Sequence, residues 1–168
     1  MIKISPPPPD SLSELQSVIH QFNNRVNPPY AQHALDKNIS GVFEKLLSIN
    51  GIHNEASNIR RSMRLTIPFI VALKVYFNRL RPQEYANKMN VPVKFDSLRT
   101  AETRSYPSGH ATQAYYLAIT LSHKYPHLRD KLFRLADAVS SSRMDRGVHY
   151  PSDLEGGYEL AVLLSKIF

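Results

Sequence analysis

Apolar residues recur every three or four positions along most of the chain, which is the pattern of helices that bury one face. The first such run contains Leu15, Val18 and Ile19. Ser11 and Glu14 have the spacing of a capping box, in which two side chains satisfy backbone N–H groups at the start of a helix. The opening segment therefore predicts an amphipathic helix that begins next to Ser11.

The same period predicts further helices over residues 31–49, 54–81, 108–123, 126–143 and 151–168. Pro68 falls inside the second of these, where a proline is expected to kink or restart the helix, and Pro82 is expected to end it. Residues 83–106 show no sustained period and predict a long loop. Because no alternating β-hairpin pattern and no internal repeat is visible, the chain is predicted to be all-α.

The predicted domain organisation follows from the length and from the prolines at the start of the chain. The 168 residues suit one domain, with residues 1–10 as a proline-rich lead-in and residues 11–168 as a single helical domain. No apolar run reaches the roughly 18 residues that span a bilayer, and the first residues lack the apolar stretch of a signal peptide. We therefore expect a soluble, cytoplasmic protein that does not span a membrane.

Charge narrows the range of partners. There are 21 Lys and Arg residues against 14 Asp and Glu, a net charge of +7, which favours an anionic partner such as a phosphate ester, a nucleic acid or an acidic lipid surface. The absence of cysteine excludes disulfides, a thiol nucleophile and a cysteine-bound metal. The oligomeric state is left open, and a homo-oligomer is compatible with the sequence.

The first of three candidate functional blocks is Lys74, followed after six residues by Arg81 and Pro82. Seven residues are nearly two turns of helix, so both cations are expected to project from similar sides, with Arg81 at the helix end. An arginine there can reach across an opening with its planar fork. Taken alone, such a block is more often two solvated surface cations than a binding site.

The second block is the run Pro107-Ser108-Gly109-His110. Ser108 is a good N-cap, and Gly109 lets backbone amides approach a ligand closely, which makes the start of this helix an anion site. His110 would then lie beside the anion. The alternative is a plain capped helix start with an incidental histidine.

The third block is Ser142-Arg143, followed after five residues by His149 and after three more by Asp153. A carboxylate in the first turn of the last helix can accept a hydrogen bond from one ring nitrogen of His149, which leaves the other nitrogen free as a nucleophile. Alternatively, Asp153 only complements the helix dipole. A metal site on His149 and Asp153 lacks enough ligands nearby.

Together the three blocks resemble the signature of the type 2 phosphatidic acid phosphatase superfamily, which also contains bacterial non-specific acid phosphatases and vanadium haloperoxidases. Every fixed position of that signature is matched in order: Lys74, Arg81, Pro82, Pro107, Ser108, Gly109, His110, Ser142, Arg143, His149 and Asp153. The resemblance covers residues 74–153. It implies an all-α, single-domain helical bundle of the acid phosphatase/vanadium haloperoxidase type.

The resemblance also implies a role for each of these side chains. His149 would attack phosphorus and form a phosphohistidine, Asp153 would orient it, and His110 would protonate the leaving oxygen and later activate water. The phosphate oxygens would be held by Lys74, Arg81, Ser108, Gly109 and Arg143. Phosphoryl transfer needs positioning and charge stabilisation above all, so cations and a helix N-terminus are expected to suffice without a metal ion or other cofactor.

Three functions remain in competition. The leading hypothesis is a metal-independent phosphatase acting on small phosphomonoesters, and the alternative is a vanadium-dependent haloperoxidase, in which vanadate would occupy the phosphate site. The third is a nucleic-acid-binding domain, because residues 56–83 contain no acidic residue and six cations: Arg60, Arg61, Arg64, Lys74, Arg79 and Arg81. Cations alone can neutralise a nucleic-acid backbone, so this function would not explain the other residues of the three blocks. No stable nucleic-acid partner is therefore expected.

Overall fold

In a computed structural model, residues 3–9, 11–26 and 29–168 are described, and these residues form helices and connecting segments without a β-strand. The α-helices are α1 (Leu12–Asn23), α2 (Pro29–Lys37), α3 (Ile39–Ile49), α4 (Ala56–Phe77), α5 (Pro82–Lys88), α6 (Gly109–Lys124), α7 (Arg129–Asp145) and α8 (Pro151–Leu164), with 3-10 turns at Arg99–Ala101 and Pro126–Leu128. The predicted all-α fold is confirmed. None of the helices in these ranges combines the length and the apolar character needed to cross a membrane.

The proline-rich lead-in packs along α8 where the structure describes it, at residues 3–9. The Ser5 N–H and hydroxyl donate to the carboxylate of Glu159, at 2.7 and 2.9 Å. The Tyr106 hydroxyl in turn donates to the Ser5 carbonyl. Residues 1, 2 and 10 of the predicted lead-in lie outside the described residues.

The helix predicted over residues 31–49 is two helices, separated at Asn38. The Asn38 backbone is not helical (φ −144°, ψ 64°), and its side chain accepts a hydrogen bond from the Gly41 N–H at 2.9 Å. This bond caps the start of α3. The apolar period continues through the break, so periodicity alone could not reveal it.

Helix α4 passes through Pro68 without the predicted restart. Pro68 is exposed, so the backbone hydrogen bond that proline cannot make is lost on the solvent side of the helix. The helix ends at Phe77, earlier than predicted, because Asn78 adopts the left-handed conformation (φ 46°) and caps the last turn. Pro82 then begins α5 instead of ending α4, so the predicted long loop starts with a short helix.

Helix α6 lies at the centre of the bundle and packs against α4, α7 and α8. The largest core cluster joins α3, α4, α6 and α7 and includes the buried side chains Phe43, Leu47, Ile59, Leu117 and Leu132. Each such side chain stabilises the fold by about 1.5–3 kcal/mol on leaving water. The core therefore holds together α4, α6 and α7, the helices that lead into the three blocks.

A glycine lets α8 approach α6 closely. A Cβ at Gly157 would lie 2.8 Å from the Cβ of Ala111 and 2.9 Å from the carbonyl oxygen of Ser108. The approach is secured by the Ser108 N–H, which donates to the carbonyl of Asp153 at 2.9 Å. The starts of α6 and α8 therefore lie side by side, which brings the second and third blocks together.

Candidate active site

The three blocks converge on one pocket of about 170 Å³ between the ends of α4, α6 and α8. Of the predicted site residues, five line this pocket: Lys74, Arg81, Gly109, His110 and His149. The remaining three are fully buried beneath the lining: Ser108, Arg143 and Asp153. The structure thus brings all eight predicted residues to one place, but not all of them to the pocket surface.

His149 is held so that one ring nitrogen faces the pocket. Its Nδ1 lies 3.0 Å from Oδ2 of Asp153, and its Nε2 lies 2.9 Å from Nη1 of Arg81. A guanidinium can only donate, so Nε2 is the unprotonated acceptor and Nδ1 carries the proton that is donated to Asp153. Burial, together with the charges of Arg81 and Lys74, lowers the pKa of His149 well below its usual range. The imidazole is therefore neutral, as a nucleophile requires.

Asp153 is fixed by the first turn of α8 and by the segment before α6. Its Oδ2 also accepts from the Tyr150 N–H at 2.9 Å and from the Ser105 hydroxyl, while Oδ1 accepts from Arg79. Burial raises the pKa of Asp153, and the Arg79 charge and these hydrogen bonds oppose that rise. A carboxylate restrained in this way sets the ring orientation and the tautomer of His149.

Lys74 lies in the last turn of α4 and is almost completely buried. Its ammonium donates to the backbone carbonyls of Arg104 and Ser105. Burial, together with the neighbouring charge of Arg81, lowers the pKa of Lys74 to about 7. An anion in the pocket would favour the charged form of this side chain.

Arg81 reaches the pocket from outside α4, so the prediction that it shares a helix face with Lys74 is wrong. The left-handed Asn78 ends α4, and Arg81 stands three residues later as the N-cap of α5, with an extended backbone (φ −69°, ψ 157°). Its Nε donates to the carbonyl of Thr103 and its Nη1 to that of Val148, both at 2.7 Å. Burial lowers the pKa of Arg81 to about 10, so the guanidinium stays charged at neutral pH.

The start of α6 supplies another wall of the pocket. Ser108 is the N-cap, as predicted, and its hydroxyl accepts from the Ala111 N–H at 3.3 Å. Gly109 begins the helix and lines the pocket, so the backbone N–H groups of the first turn are near any anion bound there. The Ser108 hydroxyl itself is buried in the cap, which leaves the helix terminus as the part that faces the pocket.

His110 shares the pocket with His149 and is bound to α2 through Asp36. Its Nε2 lies 2.8 Å from the Asp36 carbonyl oxygen, which can only accept, so Nε2 carries the proton of the neutral ring. Burial lowers the pKa of His110, whereas the hydrogen bond to the Asp36 side chain raises it. Nδ1 remains as the nitrogen that can gain or lose a proton.

Arg143 lies beneath the pocket instead of lining it. Its Nη1 donates to the carboxylate of Asp36, and its Nη2 donates to the Thr100 hydroxyl at 3.2 Å. Burial alone would raise the pKa of Asp36, but hydrogen bonds from His110 and Thr100 and the charge of Arg143 hold it well below its usual range. The charge of Arg143 is thus paired with a carboxylate and acts on His149 only through space.

Several polar residues that hold the site together were not predicted: Asp36, Arg79, Thr100 and Ser105. Asp36, Thr100 and Ser105 lie outside the three blocks, and Arg79 lies at a variable position within the first block. Only the folded chain shows that these residues belong to the site. Glu14 was predicted to form a capping box with Ser11, but Ser11 makes no side-chain cap. Instead, Glu14 accepts hydrogen bonds from Arg79 and from the Ser152 N–H. The residues at capping-box spacing therefore support the site and not the helix start.

The basic segment over residues 56–83 does not form one basic surface. Half of its cations are buried at the site: Lys74, Arg79 and Arg81. The others are exposed: Arg60, Arg61 and Arg64. Nucleic-acid binding relies on exposed cations that neutralise many phosphates, so this geometry favours a buried anion site over a nucleic-acid interface.

A wider cavity of about 1080 Å³ adjoins the pocket and shares Lys74 and Arg81 with it. Its walls come mainly from the loop over residues 94–104 and from the exposed Val71 and Val75 on α4. The loop therefore forms the mouth of the pocket.

The charged side chains that line the pocket are the cations Lys74 and Arg81. Among residues 3–9, 11–26 and 29–168, no three His, Asp or Glu side chains are grouped so that they could hold a metal ion. The lining drawn from these residues also contains no Asp or Glu. An anion is therefore the ligand that this pocket fits best.

Comparisons with known proteins agree with the signature. The sequence profile of the PAP2 superfamily matches residues 61–168, which contain all three blocks. The chain is 26% identical over 169 residues to an acid phosphatase of Zymomonas mobilis, and 34% identical over 118 residues to a non-specific acid phosphatase of Salmonella typhimurium. These alignments cover 92% and 69% of the chain, but only 64% and 40% of the relatives, so the chain spans less than two thirds of their length.

Two solved structures share the fold. A transmembrane PAP2-type phosphatidylglycerolphosphate phosphatase from Bacillus subtilis has a TM-score of 0.58 at 20% identity, over 92% of this chain and 82% of its own. LpxE of Aquifex aeolicus has a TM-score of 0.58 at 18% identity, over 91% and 92%. Since the family profile matches more than half of the chain, including all three blocks, this chain belongs to the PAP2 superfamily, that of the type 2 phosphatidic acid phosphatases.

Proposed function

We propose that this protein hydrolyses phosphomonoesters through a phosphohistidine at His149, without a metal ion. The observation that carries the proposal is the state of His149. Its Nδ1 is tied to Asp153, while its unprotonated Nε2 faces a small pocket lined by Lys74 and Arg81. The similarity to acid phosphatases, which extends over more than two thirds of this chain, supports the same reaction.

The proposed reaction has two displacements at phosphorus. In the first, the Nε2 lone pair of His149 forms an N–P bond as the bond between phosphorus and the leaving oxygen breaks, and His110 gives a proton to that oxygen. In the second, His110 removes a proton from water, the water oxygen bonds to phosphorus, and the N–P bond breaks. The products are the alcohol and inorganic phosphate, and both histidines return to their first state.

Arg81 changes its hydrogen-bond partner in the first step. Its Nη1 donates to Nε2 of His149, but a phosphate oxygen is the better acceptor for a guanidinium because both groups are charged. Phosphate binding therefore frees the lone pair of His149 for attack. Lys74 and the start of α6 neutralise the other oxygens, while Arg143 and Ser108 support the pocket from beneath.

His110 becomes an acid when the substrate binds. Burial lowers its pKa in the structure, and a phosphoryl dianion in the same pocket would raise that pKa, because it attracts the protonated ring. Nε2 stays bound to the Asp36 carbonyl, so the additional proton resides on Nδ1 and is transferred from there to the leaving oxygen.

The substrate is proposed to be a small phosphorylated molecule. The 170 Å³ pocket takes the phosphoryl group, and the adjoining 1080 Å³ cavity takes the leaving group. The walls of that cavity mix charged side chains such as Lys94 and Glu102 with the apolar Val71 and Val75. Such a mixture selects for no single leaving group, which favours a broad range of phosphomonoesters.

Phosphate release from a panel of phosphomonoesters, measured with and without a chelator, tests the proposal. His149→Ala is expected to reduce kcat by about 10³-fold or more, because no other group replaces the nucleophile. The chelator should leave the rate of the wild-type protein unchanged. The matched control is His127→Ala, which removes an exposed histidine outside the site. Undiminished hydrolysis by His149→Ala, or a strict need for an added divalent metal, would overturn the proposal.

A further inference from the structure

A second charged layer lies behind the pair formed by His149 and Asp153. Arg79, in the segment between α4 and α5, is buried, and its Nη1 donates to Oδ1 of Asp153 at 2.8 Å. His149 contacts the other oxygen of that carboxylate, Oδ2, at 3.0 Å. The carboxylate is therefore held from two sides, by the ring that it orients and by a cation that does not line the pocket.

Arg79 is itself fixed by α1. Its Nη2 donates to Oε2 of Glu14 at 2.5 Å and to the Ser11 hydroxyl at 3.0 Å, and its guanidinium carbon lies 4.1 Å from the centre of the Tyr150 ring. Oε1 of Glu14 accepts from the Ser152 N–H at 2.8 Å, in the first turn of α8. A chain of three alternating charges, Glu14, Arg79 and Asp153, thus leads from α1 to the neutral nucleophile His149.

We infer that Arg79 is a positioning residue for the nucleophile, and that the negative charge of Glu14, on the far side of the guanidinium, acts on the same pair through space. A buried carboxylate that loses its paired cation is left as an uncompensated charge. It would then take up a proton or turn away, and in either case His149 would lose the acceptor that fixes its tautomer. The expected effect on rate rests on the proposed function of His149, whereas the effect on the ring itself does not.

Other groups also face this pair and influence its titration. The charged or titratable groups that act on His149 or Asp153 are Arg79, Lys74, Arg81, Arg143, His110, Tyr106 and Tyr150. Arg79 and its partner Glu14 lie outside the pocket. Their charges can therefore be changed without removing a group that contacts the bound phosphate.

Nitrogen NMR of the His149 ring in three variants tests the inference. Arg79→Met removes the positive charge at similar length, and Glu14→Gln removes the negative charge on the far side of the guanidinium. The matched control is Arg60→Met, which removes an exposed arginine that also pairs with a glutamate, at 3.2 Å. The His149 signals are assigned by their absence from His149→Ala, and they report the tautomer and the proton uptake of the coupled pair.

The two site variants are expected to shift the titration of the pair formed by His149 and Asp153 in opposite directions. The wild-type protein and Arg60→Met should show one tautomer, with the proton on Nδ1. Arg79→Met should show a mixture of tautomers and take up a proton at higher pH, because a positive charge beside both groups is lost. Glu14→Gln should take up a proton at lower pH, because a negative charge is lost while the amide oxygen still accepts from Arg79 and keeps it against Asp153. A purely structural role for both residues would not produce shifts of opposite sign.

Kinetics with p-nitrophenyl phosphate measures the consequence for the rate. The kcat of Arg79→Met is expected to fall about 10- to 100-fold, as when other groups that orient a functional histidine are lost. The inhibition constant of inorganic phosphate should stay within about threefold of the wild-type value, since Arg79 does not contact the pocket. Arg79→Lys keeps the charge and should recover part of the lost kcat.

An unchanged tautomer and an unchanged titration in folded Arg79→Met would overturn the inference. If Arg79→Met does not fold, Glu14→Gln provides the test instead. If the titration of the pair does not shift to lower pH in that variant, the inference is overturned equally. If the ring changes as expected but the wild-type protein releases no phosphate from any ester, the proposed function fails and the positioning role of Arg79 stands.

Discussion

Lys74 is the site residue whose charge can change near neutral pH. Burial and the charge of Arg81 lower its pKa to about 7, and its ammonium donates to backbone carbonyls. An anion beside the ammonium would raise that pKa again, because it stabilises the charged form. Anion binding and protonation of Lys74 are therefore linked.

Sulfate binding is expected to weaken as pH rises above about 7, by up to about tenfold per pH unit. The free ammonium of Lys74 loses its proton there, while sulfate stays a dianion and adds no titration of its own. The measurement is the inhibition constant of sulfate against pH. Lys74→Met is the comparison: it should bind sulfate more weakly in mild acid and show a shallower dependence above neutral pH, where only proton uptake by His110 would remain. The same pH dependence in both proteins would assign the effect to another group.

Residue roles could be predicted where the partners are close in the sequence. His149 and Asp153 are four residues apart at the start of a helix, so local geometry brings them into contact. Arg143 shows the limit, because its carboxylate partner Asp36 lies 107 residues away in the sequence. Nothing in the third block indicates that partner, and direct contact of Arg143 with phosphate stays a prediction.

At the scale of helices, the boundaries depend on single side chains that periodicity does not register. The apolar pattern predicted most of the helices, but Asn38 divides one of them by capping α3, and Asn78 ends α4 by turning left-handed. The second of these matters for function, because it takes Arg81 off the helix and lets it approach the pocket from a different direction than Lys74.

Gly157→Ala is expected to destabilise the protein by about 1–3 kcal/mol. Alanine usually favours a helix over glycine by about 1 kcal/mol, but here its Cβ would lie 2.9 Å from the backbone oxygen of Ser108, which cannot move without displacing the start of α6. The kcat should fall as well, because α6 carries His110 and the first turn of α8 carries Asp153, which fixes His149. Thermal unfolding and kcat check both expectations.

Glu155→Ala is the control for this change, since Glu155 is exposed on the same helix. It should leave both stability and kcat unchanged. A Gly157→Ala protein that is more stable than the wild type would show that helix propensity outweighs the contact, and that α6 and α8 do not need their close approach.

At the scale of the whole molecule, the first two helices complete a site whose signature lies further along the chain. The family profile begins at residue 61, yet Glu14 on α1 and Asp36 on α2 each bind a cation of the site. The net charge of +7 adds a general attraction for anionic esters. The N-terminal helices therefore belong to the functional unit, although no motif marks them.

Formation of a phosphohistidine at His149 is the step on which the proposed activity depends, and rapid-quench mass spectrometry of His110→Ala measures it most directly. With p-nitrophenyl phosphate the leaving group needs no proton, so the variant should still form the intermediate. It should hydrolyse that intermediate slowly, because water is no longer activated. Quenching in alkaline detergent preserves the acid-labile N–P bond, and peptide mapping should place one phosphoryl group on His149. A His110→Ala protein that never acquires the label, or a His149→Ala protein that still does, would contradict these roles.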